Sequence, residues 1–533
     1  MTNIGTAPFP GQVPVLIVGG SLVGMSAATF LAAHGVPVVV AERHRGSAPH
    51  PRAIGYTTRT MELFRSVGIE LPPSSHTGGP PRRARVQSLA GTLYEEYPWT
   101  AAPSDSGNPD RYSPVRGTAI AQDRLEPILR DRATELGADI RLGTELLDFD
   151  YDSDGVNASL LHRISGHRYR VRAQYVIAAD GAASFVRETL GIARTGRGLL
   201  SVQRSILFRA PLQGYLRDGV VQFEIDQPDF KAFLTTYGDG RWVLMLDDDA
   251  DLTDDQQRTL IRRAVGISDL PIDLLTTGRW ELAARIAERF QQGRVFLAGD
   301  AAHQLPPNRG GYGANTGIED AHNLAWKLAA VHSGTSSPAL LETYDAERRP
   351  IAWLRHRQIF ARADYKAFRA RGDGTEVIDD IAMDLGQLYR SSAISEIPAM
   401  LPPARRPDQW AGQPGTRAPH LWLKASTGET ISTLDRFGKS WVLITEDPRW
   451  AHTAAAASAR SGMPLTIVTV EPDDNLGPQS FPDAYGLTPS GASLVRPDGY
   501  VAARWPVAPE NACAELEQTL CRLAEAGHAG ARP

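Results

Sequence analysis

The chain has 533 residues, of which 42% are hydrophobic and 22% are charged, and its formal net charge is −5. That length and balance are typical of a globular protein with two or three domains, and the acidic balance gives no support to nucleic-acid binding. Its only two cysteines, Cys513 and Cys521, form neither a C-x-x-C nor a metal-binding pattern. We therefore expect a metal-free protein of the reducing cytoplasm.

The first predicted elements are a strand, a turn, a helix and a second strand. Apolar runs predict strands over Val13–Val18 and Val36–Ala41, and a helix over Leu22–Ala33 lies between them. The whole stretch is long and apolar enough to suggest a membrane span. Prolines and glycines interrupt it, so we interpret it as a buried β-α-β unit and expect no membrane partner.

The turn of this unit has the sequence "GGSLVG". It matches the dinucleotide fingerprint G-x-G-x-x-G at Gly19 and Gly24, while Ser21 occupies the place of the second glycine. Glu42 ends the second strand, where an acid commonly holds ribose hydroxyls. This pattern favours a dinucleotide site over a simple packing turn, without separating FAD from NAD.

Two later strands also end in a carboxylate beside a glycine. "YVIAADGAASFVRETLGI" places Asp180 and Gly181 at a strand end, and "GRVFLAGDAAHQLPP" does the same with Gly299 and Asp300. Either carboxylate alone is most simply a cap for the turn that follows. Strand ends are nevertheless where open α/β sheets bind ligands.

A glycine-rich loop precedes a long predicted helix. The stretch "NRGGYGANTGIEDAHNLAWKLA" contains Gly310, Gly311, Gly313 and Gly317. The backbone freedom of four glycines suits either a plain loop or a backbone that lies flat against a ligand, with helix N–H groups directed at that ligand.

Taken together, these motifs resemble the class A flavoprotein monooxygenases, the para-hydroxybenzoate hydroxylase-like aromatic hydroxylases. The resemblance extends over residues 13 to 360, with further matches at Pro51–Ile69 and Ala121–Ala133, and is strongest to hydroxylases that tailor aromatic polyketides. It implies an α/β fold: a Rossmann-type FAD-binding domain, a β-sheet substrate domain and a C-terminal thioredoxin-like domain.

The resemblance implies a set of FAD-binding residues: Gly19, Gly20, Ser21, Gly24, Glu42, Arg43, Arg52, Gln122, Asp180, Gly181, Arg187, Gly299, Asp300, Gly310, Gly311, Gly313, Ala314 and Asn315. Within that set, Glu42 would bind the adenosine ribose and Asp300 the ribityl chain. Asp180 would lie near the pyrophosphate and the nicotinamide route. The glycine loop would face the pyrimidine end of the ring, where helix N–H groups stabilise negative charge on reduced flavin.

The resemblance also implies residues at the reacting side of the flavin, namely Arg52, Pro306 and Pro307, and Arg309 is a further catalytic candidate that departs from the family pattern. Arg309 stands where related loops often have a small residue. Contact with substrate or NAD(P)H and a solvent-facing loop position are equally open for it.

Between Arg194 and Trp280 the sequence predicts mostly strands, with a hairpin turn at Gly238–Gly240. In the resemblance this sheet walls the substrate cavity, and its aromatic residues are substrate-binding candidates, with core packing as the alternative for each: Phe223, Phe233, Tyr237 and Trp242. The basic cluster Arg82, Arg83 and Arg85 is interpreted as a solvated loop.

The predicted domains are an FAD-binding domain over 1–193 and 281–397, with an excursion to the substrate domain near 76–115, and a substrate domain over 194–280. A Pro-, Arg- and Gly-rich linker is expected over 398–420 and a thioredoxin-like domain over 421–533. Since that last domain has no C-x-x-C, a structural role or a dimer surface is expected.

The function implied is an NAD(P)H-dependent FAD monooxygenase of secondary metabolism. It would insert one oxygen from O2 into a polycyclic phenol or quinone through a C4a-hydroperoxyflavin, as a monomer or homodimer. The same oxygen chemistry could instead serve ring cleavage, Baeyer–Villiger insertion or oxidative rearrangement. A different alternative is a flavin protein that binds and protects a reactive intermediate.

Overall fold

A computed structural model of the chain describes residues 11–48, 50, 53–71, 82–98, 109–216, 219–247, 250–307, 311–362, 375–395 and 397–524. The helices are α1 (Leu22–Ala33), α2 (Thr58–Ser66), α3 (Gln122–Glu135), α4 (Phe185–Thr189), α5 (Asp254–Val265), α6 (Tyr312–His332), α7 (Thr343–Ala361), α8 (Asp380–Leu385), α9 (Arg449–Ser461), α10 (Phe481–Tyr485) and α11 (Ala512–Ala524). The strands are β1 (Gln12–Val18), β2 (Val38–Glu42), β3 (Gly55–Tyr56), β4 (Arg82–Val86), β5 (Leu93–Pro98), β6 (Thr118–Ala119), β7 (Asp139–Leu142), β8 (Thr144–Tyr151), β9 (Val156–His162), β10 (Arg168–Ala178), β11 (Arg194–Arg209), β12 (Val220–Gln227), β13 (Phe230–Thr236), β14 (Arg241–Leu246), β15 (Asp273–Ala287), β16 (Gln291–Gln292), β17 (Val295–Leu297), β18 (His303–Gln304), β19 (Trp422–Lys424), β20 (Thr430–Ser432), β21 (Trp441–Thr445), β22 (Leu465–Thr469), β23 (Ala492–Val495) and β24 (Val501–Trp505).

The first sheet has the strand order β16-β17-β10-β1-β2-β7, with β8 and β9 paired beyond β10. Strands β17, β10, β1, β2 and β7 run parallel. Helix α1 has the predicted bounds and is buried along almost its whole length, since it lies between this sheet and α6. The Rossmann-type arrangement predicted from the sequence is therefore confirmed.

The second sheet has the order β18-β15-β11-β14-β13-β12-β4-β5 and is antiparallel except for the β12–β4 pair. Helix α5 covers one of its faces and forms a separate core there. Strands β4 and β5 come from the predicted excursion near 76–115. The solvated-loop prediction for Arg82, Arg83 and Arg85 is wrong, because all three lie in β4.

The C-terminal sheet has the order β22-β21-β23-β24. Strands β21 and β22 are parallel and are joined through α9, while β23 and β24 are antiparallel to their neighbours. This β-α-β unit followed by a hairpin is the thioredoxin-like arrangement expected from the sequence. Both cysteines lie half-buried and unpaired in α11.

The C-terminal domain shares buried surface with the FAD-binding domain. Trp326 of α6 packs edge-on against Trp441 of β21, with ring centroids 6.0 Å apart. The second half of the segment 398–420 is packed, since Trp410 is 6% exposed and Arg417 5% exposed, whereas Met400 in its first half is 94% exposed. The segment predicted as a linker is therefore anchored by tertiary contacts in its C-terminal half.

Across the parts of the chain that the structure describes, no helix combines the length and apolarity that a membrane crossing requires. The same ranges contain no cluster of three or more His, Cys, Asp or Glu side chains suited to a metal ion.

Candidate active site

The loop after β1 is shaped by glycines that leave no room for a side chain. Gly19 has φ of +98°, and a Cβ at Gly24 would overlap the Gly19 carbonyl oxygen. Ser21 is the N-cap of α1, yet its side chain makes no capping hydrogen bond and the first turn has no acidic residue. The backbone N–H groups of this helix end are therefore available to an anion such as a pyrophosphate.

The Ser21 hydroxyl points instead into a polar network. It donates to Glu126 Oε1 at 2.6 Å and accepts from Gln122 Nε2 at 3.0 Å. Gln122 Oε1 also accepts the Ala53 N–H at 3.3 Å. Gln122 thus joins the fingerprint loop to the segment that follows Arg52, which itself lies outside the described residues.

Glu42 braces the same loop from the end of β2. Its carboxylate accepts the Gly20 N–H at 2.5 Å and the His44 N–H at 2.6 Å, and the residue is 8% exposed. Arg43 beside it is exposed. Glu42 therefore lies where the fingerprint requires an acid, although its oxygens bind backbone N–H groups here, and the ribose contact stays a prediction.

The segment that follows β10 lies against the fingerprint loop at Gly19. A Cβ on Gly19 would collide with the Ala179 carbonyl, next to Asp180. Asp180 caps α4, since it accepts from Ser184 Oγ at 2.5 Å and from the Val186 N–H at 3.1 Å. Burial raises the pKa of the Asp180 carboxyl in spite of these hydrogen bonds. Gly181 is half-buried with φ of +84° and free space around it.

Arg187 has a different role from the predicted one. It is 2% exposed, and its guanidinium donates to the Ala182 and Ala301 carbonyls, both at 3.2 Å. The side chain therefore does not reach a cofactor; it ties the segment after β10 to the segment after β17. We correct the cofactor-contact prediction for Arg187 to a positioning role.

Gly299 and Asp300 follow β17 in a short turn. Gly299 has φ of +60°, and a Cβ there would lie 2.8 Å from Val23 Cγ2 of α1. Asp300 is exposed at the mouth of this turn, as a ligand-binding carboxylate should be.

A buried ion pair that the sequence did not predict holds the turn at Gly299. Asp320 Oδ2 accepts the Gly299 N–H at 3.2 Å and lies 2.6 Å from His303 Nε2, and Arg348 Nε donates to Asp320 Oδ1 at 2.7 Å. Burial alone would raise the pKa of Asp320, but His303 and Arg348 lower it. The only sequence signal was a charge at a helix position that faces the core.

Helix α6 begins at the glycine loop, whose Arg309 and Gly310 lie outside the described residues. Its N-cap Gly311 has φ of +58°, and the residues Gly313 and Ala314 of the first turn are half-buried. Asn315 is fully buried and donates to the Gly311 and Gly55 carbonyls at 2.7 and 3.1 Å. Its side chain therefore fixes the loop, while the backbone N–H groups of the first turn carry no side-chain cap.

Gly317 brings three of the motifs to one point. A Cβ on this residue would lie 2.5 Å from Val23 Cγ2 of α1 and 2.9 Å from the Gly299 Cα. The N-terminal turns of α1 and α6 and the turn after β17 therefore converge. Sequence reasoning counted Gly317 with the loop and did not predict this contact.

Pro306 and Pro307 follow β18 next to the start of α6. Pro306 is buried and Pro307 is exposed. A Cβ on Gly313 would lie 3.6 Å from the carbonyl of Leu305. The segment that carries the two prolines therefore lies beside the first turn of α6, and their place at the reacting edge of the flavin stays a prediction.

The second sheet turns its other face, which we call the open face, toward the FAD-binding domain. Arg241 on this face donates from Nη1 to Asp123 Oδ2 of α3 at 2.7 Å. Tyr237 and Phe233 belong to the open face as well, because strand residues alternate and their neighbours Thr236 and Leu234 pair with residues of the α5 core.

Two of the substrate-binding predictions are wrong. Phe223 is 2% exposed and Trp242 1% exposed, and both pack in the core beneath α5, with ring centroids 6.4 Å apart. Their strand position places them on the covered face, so neither lines the cavity.

These features fit FAD. The fingerprint loop and uncapped α1 suit its pyrophosphate, the exposed Asp300 suits its ribityl hydroxyls, and the uncapped α6 suits the pyrimidine end of its ring. One long ligand could contact all three, since the turns converge around Val23.

Comparison with known proteins agrees with this site. Residues 12–358 match the family described as FAD binding domain, and residues 411–526 match aromatic-ring hydroxylase, C-terminal. The chain is 39% identical to a 4-methyl-5-nitrocatechol 5-monooxygenase of Burkholderia sp, covering 95% of this chain and 96% of the relative. It is 38% identical to the tetracenomycin A2 monooxygenase-dioxygenase of Streptomyces glaucescens, covering 96% and 97%.

A solved structure extends the likeness to the fold. Aklavinone-11 hydroxylase, determined as a ternary complex with FAD and aklavinone, superposes with a TM-score of 0.85 at 36% identity, covering 96% of this chain and 99% of that one. The chain therefore belongs to the class A FAD-dependent aromatic monooxygenases, in the group that carries the aromatic-ring hydroxylase C-terminal domain.

Proposed function

We propose that this FAD monooxygenase uses NAD(P)H and O2 to insert one oxygen atom into a polycyclic phenol or quinone of secondary metabolism. The observation that carries the proposal is the convergence of two uncapped helix N-termini with Gly299, in a domain that the open face of an eight-stranded sheet contacts through Arg241. Relatives named for tetracenomycin and aklavinone support the polycyclic substrate class.

When bound, FAD supplies the hydride acceptance and oxygen activation. The residues of the chain hold and shield it. Backbone N–H groups of Gly313 and Ala314 would stabilise negative charge on the reduced ring, because α6 has no side-chain cap. Asn315 holds that helix end against β3 and thereby keeps these groups oriented.

We propose that NAD(P)H binds transiently, because the sequence has one fingerprint loop, at Gly19–Gly24, and FAD accounts for it. Arg52 and Arg309 remain proposed contacts of the flavin edge and of substrate or NAD(P)H. The two cysteines form no disulfide, which agrees with a cytoplasmic protein. The protein is proposed to act as a monomer or homodimer.

The test is oxidation of NADH and of NADPH by the FAD-loaded protein in isotopically labelled O2, with and without polycyclic phenols and quinones. We expect stimulation by one of these compounds and one labelled oxygen in the product. A labelled product with a broken or rearranged ring would replace hydroxylation by cleavage or rearrangement. Flavin-loaded protein that no aromatic compound stimulates would contradict the proposal.

A further inference from the structure

A row of residues crosses the open face of the second sheet. It starts on β15 and runs toward the edge that β4 and β5 form. Strand pairing sets Gly278 beside Ser205, then Met245, Phe233 and Glu224 on successive strands. Neighbouring strands lie about 4.8 Å apart, so the four steps of this row span about 19 Å.

The near end of the row adjoins the flavin-binding segment. A Cβ on Gly278 would lie 3.3 Å from His50 Cδ2 and 3.2 Å from Ser205 Oγ, so the imidazole of His50 packs on this end of the row. His50 is two residues before Arg52, the residue that we propose to contact the flavin. The oxidised ring of a substrate would therefore lie at this end.

The far end carries a charged and aromatic cluster. Arg83 Nη1 lies 3.2 Å from Glu224 Oε1, and Arg83 Nη2 donates to Gln222 Oε1 at 2.9 Å. The guanidinium also lies 5.2 Å from the ring centroid of Phe233. Tyr97 pairs with Arg83 across β4 and β5, and burial together with a hydrogen bond to Glu224 raises its pKa.

These groups are ordered but accessible. The Glu224 side chain is 38% exposed and the Arg83 side chain 17% exposed. Between the two ends, Met245 and Phe233 are half-buried apolar side chains. The open face thus offers an apolar strip that ends in a carboxylate, a guanidinium and a phenol, none of which the proposed chemistry at the flavin uses.

Building on the proposed function, we propose that Phe233, Glu224, Arg83 and Tyr97 form a distal subsite for the substrate ring farthest from the flavin. The carboxylate of Glu224 accepts a hydrogen bond from a hydroxyl of that ring and Arg83 donates one to a carbonyl, while Phe233 contacts the ring face. A single ring spans little more than one strand spacing, so a monocyclic phenol held at the near end does not reach this subsite.

The test compares Glu224→Gln and Phe233→Leu with Asp226→Asn in the FAD-loaded protein. Asp226 is a matched control because it is a carboxylate two residues along the same strand and face, paired with Arg85 at 3.1 Å and with Lys231. The probes are a tetracyclic hydroxyquinone and a monocyclic catechol. Substrate-stimulated NAD(P)H oxidation gives kcat and KM, and titration of the flavin absorbance gives Kd.

We expect KM and Kd for the tetracycle to rise about 10-fold in Glu224→Gln and Phe233→Leu, the loss expected for one good contact to a charged or aromatic group. Their kcat, their catechol kinetics and all values for Asp226→Asn should stay within about 2-fold of the parent, inside the scatter of surface substitutions.

The distal subsite would be overturned if the parent enzyme oxidises the tetracycle and both variants show the same KM and Kd as the parent. That result would leave the proposed function intact. Equal losses on catechol and tetracycle would also overturn the subsite, because they would show damage to the fold. Parent protein that oxidises catechol but shows no flavin perturbation with the tetracycle would overturn the subsite as well. Failure of every aromatic compound to stimulate the parent would instead contradict the proposed function.

Discussion

At the scale of single residues, the site depends on glycines where main chains touch. Gly317 sits where α6 crosses the first turn of α1, and any side chain there meets Val23 and Gly299. In contrast, Gly313 on the same helix has only an ordinary contact with Leu305. Substitutions at these two glycines therefore distinguish the effect of a close main-chain contact from the effect of glycine on helix propensity.

We predict that Gly317→Ala lowers the Tm of the apoprotein by several degrees and weakens FAD binding, because overpacking costs about 1–3 kcal/mol. Gly313→Ala should leave the Tm unchanged or raise it slightly, since alanine favours a helix by up to about 1 kcal/mol. Thermal unfolding without FAD, followed by flavin titration, checks both. Equal effects of the two substitutions would show that the contact at Val23 is not tight.

At the scale of elements, two ion pairs of different burial hold α2, one to the connection 398–420 and one to the C-terminal domain. Glu62 accepts from Arg417 Nε at 2.8 Å and also pairs with Arg59 of its own helix, and all three are less than 10% exposed. Arg65 pairs with Asp435 at 2.8 Å with side chains 34% and 29% exposed.

We predict that Arg417→Met lowers the free energy of unfolding by about 3–5 kcal/mol, because it leaves a buried carboxylate short of a partner. The control Arg65→Ala should cost at most about 1 kcal/mol, as exposed pairs do. Urea unfolding monitored by tryptophan fluorescence measures both changes. Similar small losses in the two variants would mean that Arg59 alone compensates Glu62.

The same scale shows which parts of the site are readable from sequence. The β1-turn-α1 unit was predicted to the residue at the helix bounds because its signals are local. The faces of β12 and β14 were not predicted, because strand alternation does not tell which face Phe223 and Trp242 occupy, and only the packing of α5 decides which face is covered. The burial of residues 410–420 was not predicted, because the composition of the segment is typical of a linker while its contacts come from distant elements.

At the scale of the whole molecule, buried carboxylates join the domains. Glu347 of α7 binds Arg496 of the C-terminal domain at 2.5 Å, and Lys327 of α6 at 2.8 Å, with all three side chains fully buried. These partners are up to 149 residues apart in the chain. No sequence pattern relates such positions, so the network could not be foreseen.

The free energy of unfolding should fall in acid, because buried carboxylates of the protein are paired with cations. Burial alone would raise the pKa values of Glu62, Asp320, Glu347 and Asp498, but neighbouring cations lower all four. A carboxyl with a lowered folded-state pKa stabilises the protein above its ordinary pKa of about 4, and that stabilisation is lost as the pH falls through the folded-state value.

We therefore predict a Tm that declines as the pH falls below about 6.5 and declines more steeply below about pH 4. The first decline comes from histidines whose pKa is lowered by burial, namely His34, His322, His356 and His420, and the second adds the carboxyls. Glu62→Gln should lower the Tm at neutral pH and reduce the decrease, because one titrating group is gone. Thermal scans at pH 2.5–7 measure both curves. A Tm that stays level down to pH 3 would contradict the lowered pKa values.

The Trp326–Trp441 contact has a consequence for protein engineering. The two domains share one core, in which Trp326 and Leu340 pack with Trp441 and Leu443. A chimera cut at 398–420 would therefore mismatch both halves of that core, even between relatives with the same domain order. Exchange of the C-terminal domain has to carry along the facing positions of α6 and of the turn before α7, so the unit of recombination is larger than the domain.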